Sequence, residues 1–282
     1  MNITRAREIM SSKKMYKLIT IVFVAAVLVF GYICLAQSSG QQSELNVSPE
    51  TVVAGSASNK TLNFNLKLKS QLPILSASLE TVDTTAPVLK VSLSKQSDGS
   101  FSGSAQVPAD WMTKPRTITF VLYINGIKTT TIARFAVTDI AVILPSDPGE
   151  AGKATLAGID SDKDGVRDDL QREIVFMYPD KDEARRLLRA MTKNIQDMII
   201  TEGDHEHFKD LMISAFAFGN CYSYKVFSLG QYDPANERLL WKIAENTPER
   251  DKTMEANQYK ATPFGSLAGG SADGCENLKG QY

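Results

Sequence analysis

The sequence is poor in the residues that hold transition metals or build disulfide scaffolds, with two histidines and three cysteines among 282 residues. This scarcity argues against a histidine-rich metalloenzyme and against a small disulfide-stabilised fold. A charge excess of one sign is also missing, since 31 basic and 32 acidic residues leave a net charge of −1. Dedicated nucleic-acid-binding domains carry a basic excess, so we expect no nucleic-acid partner.

Several catalytic motifs are absent as well. The chain contains no Gly-x-Ser-x-Gly, no phosphate-binding glycine loop and no His-Glu-x-x-His. These three patterns are typical of serine hydrolases, nucleotide-binding enzymes and zinc proteases, respectively. The sequence therefore gives no motif from which enzymatic activity would be predicted.

An apolar run near the N-terminus, Leu18 to Leu35, contains no charged residue and follows a basic stretch. This order of charge and hydropathy is typical of a secretory signal peptide or a membrane anchor. The 18 residues would extend about 27 Å as a helix, enough to cross a bilayer core. We predict that residues 1–36 are a signal peptide cut before Gln37 or a retained anchor over residues 18–35. A lipoprotein modified at Cys34 is a third alternative.

Each alternative places the rest of the chain outside the cytoplasm, in the periplasm, on the outer surface or in the medium. Residues 37–282 carry 26 basic and 31 acidic side chains, and the resulting net charge of −5 suits a soluble exported protein. Residues 37–43 are polar and uncharged, which predicts a spacer. Contact with a membrane is expected only through the N-terminal segment.

Residues 44–142 show the period-two alternation of β-strands. Apolar Leu62, Phe64 and Leu66 alternate with polar residues. The pair Asn125-Gly126 separates two runs rich in β-branched and aromatic residues, and it predicts a hairpin turn of type I′. About seven short strands in about 100 residues predict an Ig-like β-sandwich, with Trp111 in its core.

Residues 143–157 contain two prolines and two glycines, which predicts a linker. Beyond residues 158–173 the hydrophobic period becomes helical, and residues 174–282 are expected to form a domain of four or five helices. Asp182 to Ile200 is one predicted helix, and Asp233-Pro234 and Thr247-Pro248 are start signals for two more. The predicted fold class is multidomain, an all-β domain followed by an all-α domain.

The most specific motif lies between these domains, in residues 158–173. Carboxylates stand at alternate positions of a loop, a glycine follows at the sixth position, and a helix begins soon after. Calcium needs six to eight oxygen ligands, which acids at positions 1, 3, 5 and 9 supply together with a backbone carbonyl at position 7. Gly165 permits the sharp turn. The predicted metal ligands are Asp160, Asp162, Asp164, Val166, Asp168 and Gln171.

These residues resemble the calcium loops of thrombospondin type 3 repeats and of EF-hand-like bacterial proteins. From Gly158 to Asp169 the sequence is also similar to a group of exported bacterial proteins of unknown role, in which one such loop precedes a helical region. The resemblance implies Ca²⁺ binding in the cell envelope or outside the cell, and no enzymatic chemistry. Two departures imply weak affinity: Gln171 replaces the bidentate glutamate of the EF-hand, and the loop is single where thrombospondin repeats are tandem.

Two weaker patterns lie in the helical half. Cys221 and Cys275 are the cysteines that remain beyond residue 36, and an even pair in an oxidising compartment predicts a disulfide. His205 and His207 would need further ligands to hold a metal, so we interpret them as part of a polar turn or a helix start. Aromatic residues near Cys221 have helical spacing and are expected in the core: Phe216, Phe218, Tyr222, Tyr224 and Phe227.

The sequence therefore predicts a non-enzymatic, exported calcium-binding protein of the envelope or cell surface. Its role would be binding or scaffolding, with a protein or another envelope component as partner. The alternative is an exported hydrolase whose site lies in the helical domain. Convergent acids in a pocket of that domain would favour the hydrolase, whereas an exposed aromatic patch would favour binding.

Overall fold

The computed structural model of the chain describes residues 43–55, 61–68, 73–82, 88–201, 204–227 and 233–261, together with Cys275 and Leu278. The predicted signal peptide or anchor over residues 1–36 lies outside the described residues, as does the spacer up to residue 42. None of the helices in the described ranges is both long and apolar enough to cross a membrane.

The first half of the chain is an eight-stranded mixed sheet that curls on itself. The strands lie in the order β1-β3-β6-β5-β4-β7-β8-β2, and every pair is antiparallel except β2 with β8. Ser43 on β1 is hydrogen-bonded to Thr131 on β8, which brings the two ends of the sheet together. The strands are β1 Ser43–Ser48, β2 Thr51–Val53, β3 Thr61–Leu68, β4 Ala77–Thr81, β5 Lys90–Lys95, β6 Phe101–Gln106, β7 Arg116–Ile124 and β8 Ile127–Thr138.

The alternation seen in the sequence sets which face of the sheet is buried. Leu62, Phe64 and Leu66 of β3 point into the core, and the ring of Phe64 meets that of Phe120 edge-on with centroids 4.9 Å apart. Trp111, in a short 3₁₀ helix over Ala109–Thr113, is fully buried, so its predicted core position is confirmed. These contacts fill the inside of the curled sheet.

The predicted hairpin is present between β7 and β8. Ile124 pairs with Ile127, and Asn125 and Gly126 both have positive φ, at 50° and 78°. A type I′ turn requires positive φ at both central residues, which asparagine and glycine adopt most readily. The Asn125 side chain also accepts hydrogen bonds from the backbone N–H groups of residues 75 and 76, so the turn fixes the neighbouring loop.

In the described part of the chain five α-helices follow the sheet, which confirms the predicted mixture of β and α structure. Asp233 caps α4 by accepting a hydrogen bond from Ala235 N at 2.8 Å, and Thr247 Oγ1 does the same for Arg250 N at the start of α5. Both caps match the predicted start signals. The helices are α1 Asp168–Met177, α2 Asp182–Ile200, α3 His205–Phe227, α4 Pro234–Ala244 and α5 Pro248–Ala261.

The aromatic residues of α3 divide between two faces. Phe218 and Tyr222, four residues apart, are buried in the helical core. Phe216, Tyr224 and Phe227 are 42%, 44% and 73% exposed, so the expectation that all five aromatic residues are buried is wrong for these three. At 100° per residue the buried pair shares one face of the helix, and the other three fall on the opposite side.

Cys221 on α3 and Cys275 lie at disulfide distance, with their Cα atoms 5.0 Å apart and a sequence separation of 54. Both residues are buried in the helical core. A cross-link of this span would hold the described part of the C-terminal tail, Cys275 and Leu278, against the helices. This geometry matches the pairing that the sequence predicts.

Three arginine–carboxylate pairs join the helices to the sheet. Arg172 of α1 makes two hydrogen bonds to Glu50, at 2.8 and 2.6 Å, and also donates to the carbonyl of Pro145. Arg134 of β8 is bidentate to Glu173 and lies over the ring of Phe176. A third pair joins Arg185 to Asp139 at 2.8 Å. Helix α1 is therefore fastened to the sheet on one side.

We predict that Arg172→Ala lowers the free energy of unfolding by about 2 kcal/mol, because the mutation leaves Glu50 and the half-buried carbonyl of Pro145 without their charged donor. Chemical denaturation followed by circular dichroism measures this change. Arg186→Ala is the matched control, since Arg186 pairs with Asp182 at the surface of α2. Exposed pairs contribute at most about 1 kcal/mol, so equal losses in the two variants would contradict the account of this interface.

Candidate metal centre

The predicted calcium loop runs from Asp160 to Gln171 and ends inside α1. Two of its residues have left-handed backbone conformations, Lys163 with φ 59° and Gly165 with φ 88°. Such residues turn the chain sharply, and glycine adopts this conformation without steric cost. The loop therefore folds back on itself, and its acidic side chains converge.

Three of the predicted ligands come together. Carboxylate oxygens of Asp160, Asp162 and Asp168 lie within 4.8 Å of one another. Calcium binds oxygen at 2.3–2.6 Å, so two ligands of one ion are separated by at most about 5.2 Å. The spacing of these three oxygens is thus compatible with a single calcium ion.

None of these three carboxylates forms an ion pair with another described residue. Asp168 is 1% exposed, and one of its oxygens accepts hydrogen bonds from the N–H and hydroxyl groups of Ser161, at 2.9 and 3.2 Å. Two like charges 4 Å apart repel by about 1 kcal/mol in water and about 4 kcal/mol in a medium with a dielectric constant of 20. The group therefore has a local excess of negative charge, and Arg172, whose charge interacts with that of Asp168, offsets it without forming a salt bridge.

Backbone donors hold the first acid in place. The two carboxylate oxygens of Asp160 accept hydrogen bonds from Asp164 N, at 3.3 Å, and from Gly165 N, at 2.9 Å. Asp160 is thus held in one orientation by the turn that Gly165 makes.

Asp164, the predicted ligand at position 5, lies outside this group. One of its oxygens accepts a hydrogen bond from Val166 N at 2.8 Å, and the other contacts the guanidinium of Arg189 on α2. The side chain of Val166, the predicted carbonyl ligand, is buried in the helical core. Among the predicted acidic ligands in the described structure, Asp164 is therefore the one whose charge is balanced by an arginine.

Gln171 reaches the group from the first turns of α1. Its Nε2 donates to Asp162 Oδ2 at 3.1 Å, while its Oε1 is buried and has no hydrogen-bond partner among the described residues. The residue is only 4% exposed. An unsatisfied buried carbonyl costs about 1–3 kcal/mol. A hydrogen-bond donor or a cation that contacted this oxygen would therefore stabilise the fold.

Two buried arginines hold the base of the loop. Arg167 donates to both oxygens of Asp169 and to the carbonyls of Ile243 and Ala244 at the end of α4. Gly158 lies against it: an added Cβ there would be 2.7 Å from Arg167 Cδ. The loop is thus anchored to α4 at one end.

The second buried arginine, Arg250 on α5, binds the segment that the sequence predicts as a linker. Its guanidinium donates to the carbonyls of Gly152, Thr155 and Leu156. Burial and the nearby charge of Arg167 lower the pKa of Arg250, whereas Asp169 opposes this shift. Residues 152–156 are therefore held against α5 beside the loop.

Sequence reasoning missed these arginines and Arg189. Arg167 stands inside the motif, but the motif does not indicate that its side chain is buried. Arg189 and Arg250 lie on helices whose periodicity marks them as polar positions. The contacts of Arg189 and Arg250 form only because α2 and α5 pack against the loop and the segment before it.

His207 is not part of this centre. Asp204 accepts a hydrogen bond from His207 N at 3.0 Å and so caps α3, in agreement with the interpretation of this segment as a helix start. His207 is exposed, and the side chain of His205 lies outside the described residues. Burial raises the pKa of Asp197 on α2, and the charges of Lys193 and His207 oppose that shift. Within the described ranges, the acids at 160, 162 and 168 form the sole close group of three candidate metal ligands.

Comparison with known proteins gives little further guidance. No protein-family model and no curated protein matches the chain. Among solved structures, the filamin domain of Lin-41 is similar to 35% of this chain over 93% of its own length, with 10% identity and a TM-score of 0.26. A TM-score of this size does not establish a shared fold or a shared function.

We predict that Asp162→Asn stabilises the metal-free protein, because it removes one of three mutually repelling charges and keeps an oxygen that accepts from Gln171. In the presence of EDTA, the free energy of unfolding should rise by about 1 kcal/mol. Asp210→Asn is the control, since Asp210 is an exposed acid on α3 away from the loop. A loss of stability in Asp162→Asn without calcium would show that repulsion between these carboxylates is unimportant.

Proposed function

We propose that this chain is an exported calcium-binding protein of the cell envelope or cell surface, with a binding or scaffolding role and no enzymatic activity. The observation that carries this proposal is the group formed by Asp160, Asp162 and Asp168, which lacks a basic partner among the described residues. The buried, unpartnered oxygen of Gln171 beside it is independent support. Oxygen-only donors with net negative charge suit a hard cation such as calcium.

The position of the Gln171 amide is compatible with both the calcium-free and the calcium-bound state of the loop. Without an ion, the amide N–H group donates to Asp162 and offsets part of its charge. A half-turn of the amide would exchange its nitrogen and oxygen, so that Oε1 joins the carboxylates as a ligand. A glutamine can therefore serve at position 12, although it supplies one neutral oxygen where the EF-hand has a bidentate carboxylate.

Ion binding would also act on the contact between the two halves of the chain. Asp168 and Gln171 stand in the first turn of α1, and Arg172, Glu173 and Phe176 of the same helix contact the sheet or its flanking segment. We interpret the sheet as an Ig-like β-sandwich, supported by its antiparallel strand pairs and by aromatic packing inside the curl. Calcium would then fix the helix that joins the sandwich to the helical domain.

Export is supported by three features. Residues 1–36 have the charge and hydropathy of a signal peptide or anchor. Cys221 and Cys275 lie at disulfide distance, and disulfides persist mainly outside the cytoplasm. A loop with glutamine at position 12 is expected to bind weakly, in the roughly 10⁻⁴–10⁻³ M range of extracellular calcium modules. Weak binding is sufficient only where calcium is abundant.

A binding role is supported by the aromatic side chains of α3 that face solvent. Phe216, Tyr224 and Phe227 are each more than two-fifths exposed. Exposed aromatic residues are enriched at protein interfaces, where they bury a large area at low entropic cost. The chemistry of these residues suits a protein or envelope partner better than a small charged metabolite.

We predict that the purified protein binds one calcium ion with a Kd of roughly 10⁻⁴–10⁻³ M, measured by titration calorimetry. At one hundred times Kd the ion should stabilise the fold by about 2.7 kcal/mol. Asp168→Asn should abolish both the heat and the stabilisation. Gln171→Glu should tighten binding roughly tenfold, because it adds a carboxylate to the group.

Magnesium and the Asp210→Asn variant are the controls for this titration. Magnesium requires octahedral geometry at shorter distances and keeps its water, so it should compete poorly. Asp210→Asn should bind calcium like the parent protein. Absence of both heat and stabilisation at 10 mM calcium, in a protein shown to be folded, would reject calcium binding.

A second prediction concerns the compartment. Protein isolated from its native host with free thiols blocked should yield a peptide pair linked through Cys221 and Cys275 in mass spectrometry. An extracytoplasmic location supplies the oxidising conditions that this bond needs. If both cysteines instead carry the blocking label in most molecules, the protein resides in a reducing compartment and export is refuted.

The alternative, an exported hydrolase, has one observation in its favour. A cleft between α4 and α5 is lined by Trp241, two acids and two bases. Burial raises the pKa of Glu245, and the nearby charge of Asp251 raises it further. A carboxyl group with a raised pKa next to a second acid is a combination that general acid catalysis uses. The other lining residues are Arg238 and Lys242.

If this cleft is catalytic, the protein should degrade cell-envelope polysaccharide, and Glu245→Gln should remove the activity without unfolding the protein.

The raised pKa of Glu245 also predicts how the stability of the protein depends on pH. The ionised form of Glu245 is disfavoured in the fold, so stability falls as the pH rises from below 4.5 through the folded pKa. Glu245→Gln should thus be more stable than the parent at pH 7 and equal to it near pH 3. An inactive parent protein, or a fully active variant, would reject the hydrolase.

A further inference from the structure

Helix α2 places two basic residues against the calcium loop. The guanidinium of Arg189 contacts Asp164 Oδ2. One turn later, Lys193 lies against the backbone of Gly165, where an added Cβ would be 3.0 Å from its Nζ. Both cations face the second half of the loop, while the acids at 160, 162 and 168 have no such partner in the described structure.

Asp164 stands at position 5 of the loop, the centre of the acidic motif, yet both of its oxygens are already used. One accepts the N–H of Val166 and the other is paired with Arg189. A carboxylate oxygen that is paired with a guanidinium is not free to bind a cation. Asp164 would therefore have to leave Arg189 before it could serve as the fourth carboxylate ligand.

We propose that Arg189 determines the calcium affinity of this loop by competing with the ion for Asp164. This inference rests on the calcium binding proposed above. The arginine side chain neutralises the central acid when calcium is scarce, and it is displaced when calcium is abundant.

The size of the effect follows from the exposure of the pair. The side chains of Arg189 and Asp164 are 37% and 25% exposed, so water screens their attraction. Pairs of this kind contribute little in solution, and breaking one corresponds to a change in the binding constant of up to about fivefold. Arg189 is thus expected to adjust the affinity and not to prevent binding.

The test compares calcium titrations of the full-length protein and of Arg189→Met, which keeps the length of the aliphatic chain and removes the charge. The Kd of Arg189→Met for calcium should be lower, by up to about fivefold. Arg186→Met is the control, because Arg186 lies one turn earlier on the same helix and pairs with Asp182. In an Asp164→Asn background the Arg189→Met substitution should no longer change the Kd.

Thermal unfolding separates competition from a purely structural role. In EDTA, Arg189→Met should unfold at a lower temperature than the parent protein, because the loop loses a compensating charge. In saturating calcium, the order should reverse or the difference should vanish. A structural role would lower both midpoints equally.

The outcomes separate this inference from the proposed function. If the parent protein binds calcium and Arg189→Met binds with the same or a higher Kd, Arg189 does not compete for Asp164 and the inference is wrong. If neither the parent protein nor Arg189→Met binds calcium, although both are folded, calcium binding itself fails. Tighter binding in both Arg189→Met and Arg186→Met would indicate a general charge effect and would also overturn the inference.

Discussion

Electrostatic repulsion among Asp160, Asp162 and Asp168 is the constraint on which the account of this protein depends. The turn at Gly165 and the donors of Ser161 bring the three carboxylates together, and none of the three forms a salt bridge with another described residue. Calcium is the cation that we propose to compensate this repulsion. The buried oxygen of Gln171 beside the group supports that proposal.

Helix α1 connects the acidic group to the sheet. Its first turn contributes Asp168 and Gln171 to the acidic group, and its outer face carries Arg172 and Glu173 to the sheet. Behind the loop, Arg167 and Arg250 fasten it to the last two helices. A change in how rigidly the loop is held would therefore be transmitted through helix α1 to the contact between the sheet and the helices.

Much of this arrangement could be predicted from the sequence. The features that could not be predicted depend on contacts between residues that are distant in the chain. Period-two alternation, the Asn125-Gly126 turn and the caps at Asp233 and Thr247 are local signals, and they predicted the sheet, the hairpin and the helix starts. The acidic motif predicted that Asp160, Asp162 and Asp168 converge, but it also included Asp164, which lies outside the group. Arg189 could not be predicted as a partner of Asp164, because that pair depends on how α2 packs against the loop. The burial of Arg250 depends likewise on long-range contacts.

The most direct measurement is a crystal structure of the protein grown in millimolar calcium, with the ion located by its anomalous scattering at long wavelength. The account predicts one calcium ion about 2.3–2.6 Å from oxygens of Asp160, Asp162 and Asp168, with Gln171 Oε1 turned toward it. A water molecule or a lysine ammonium at that position, with no anomalous signal in the loop, would contradict it.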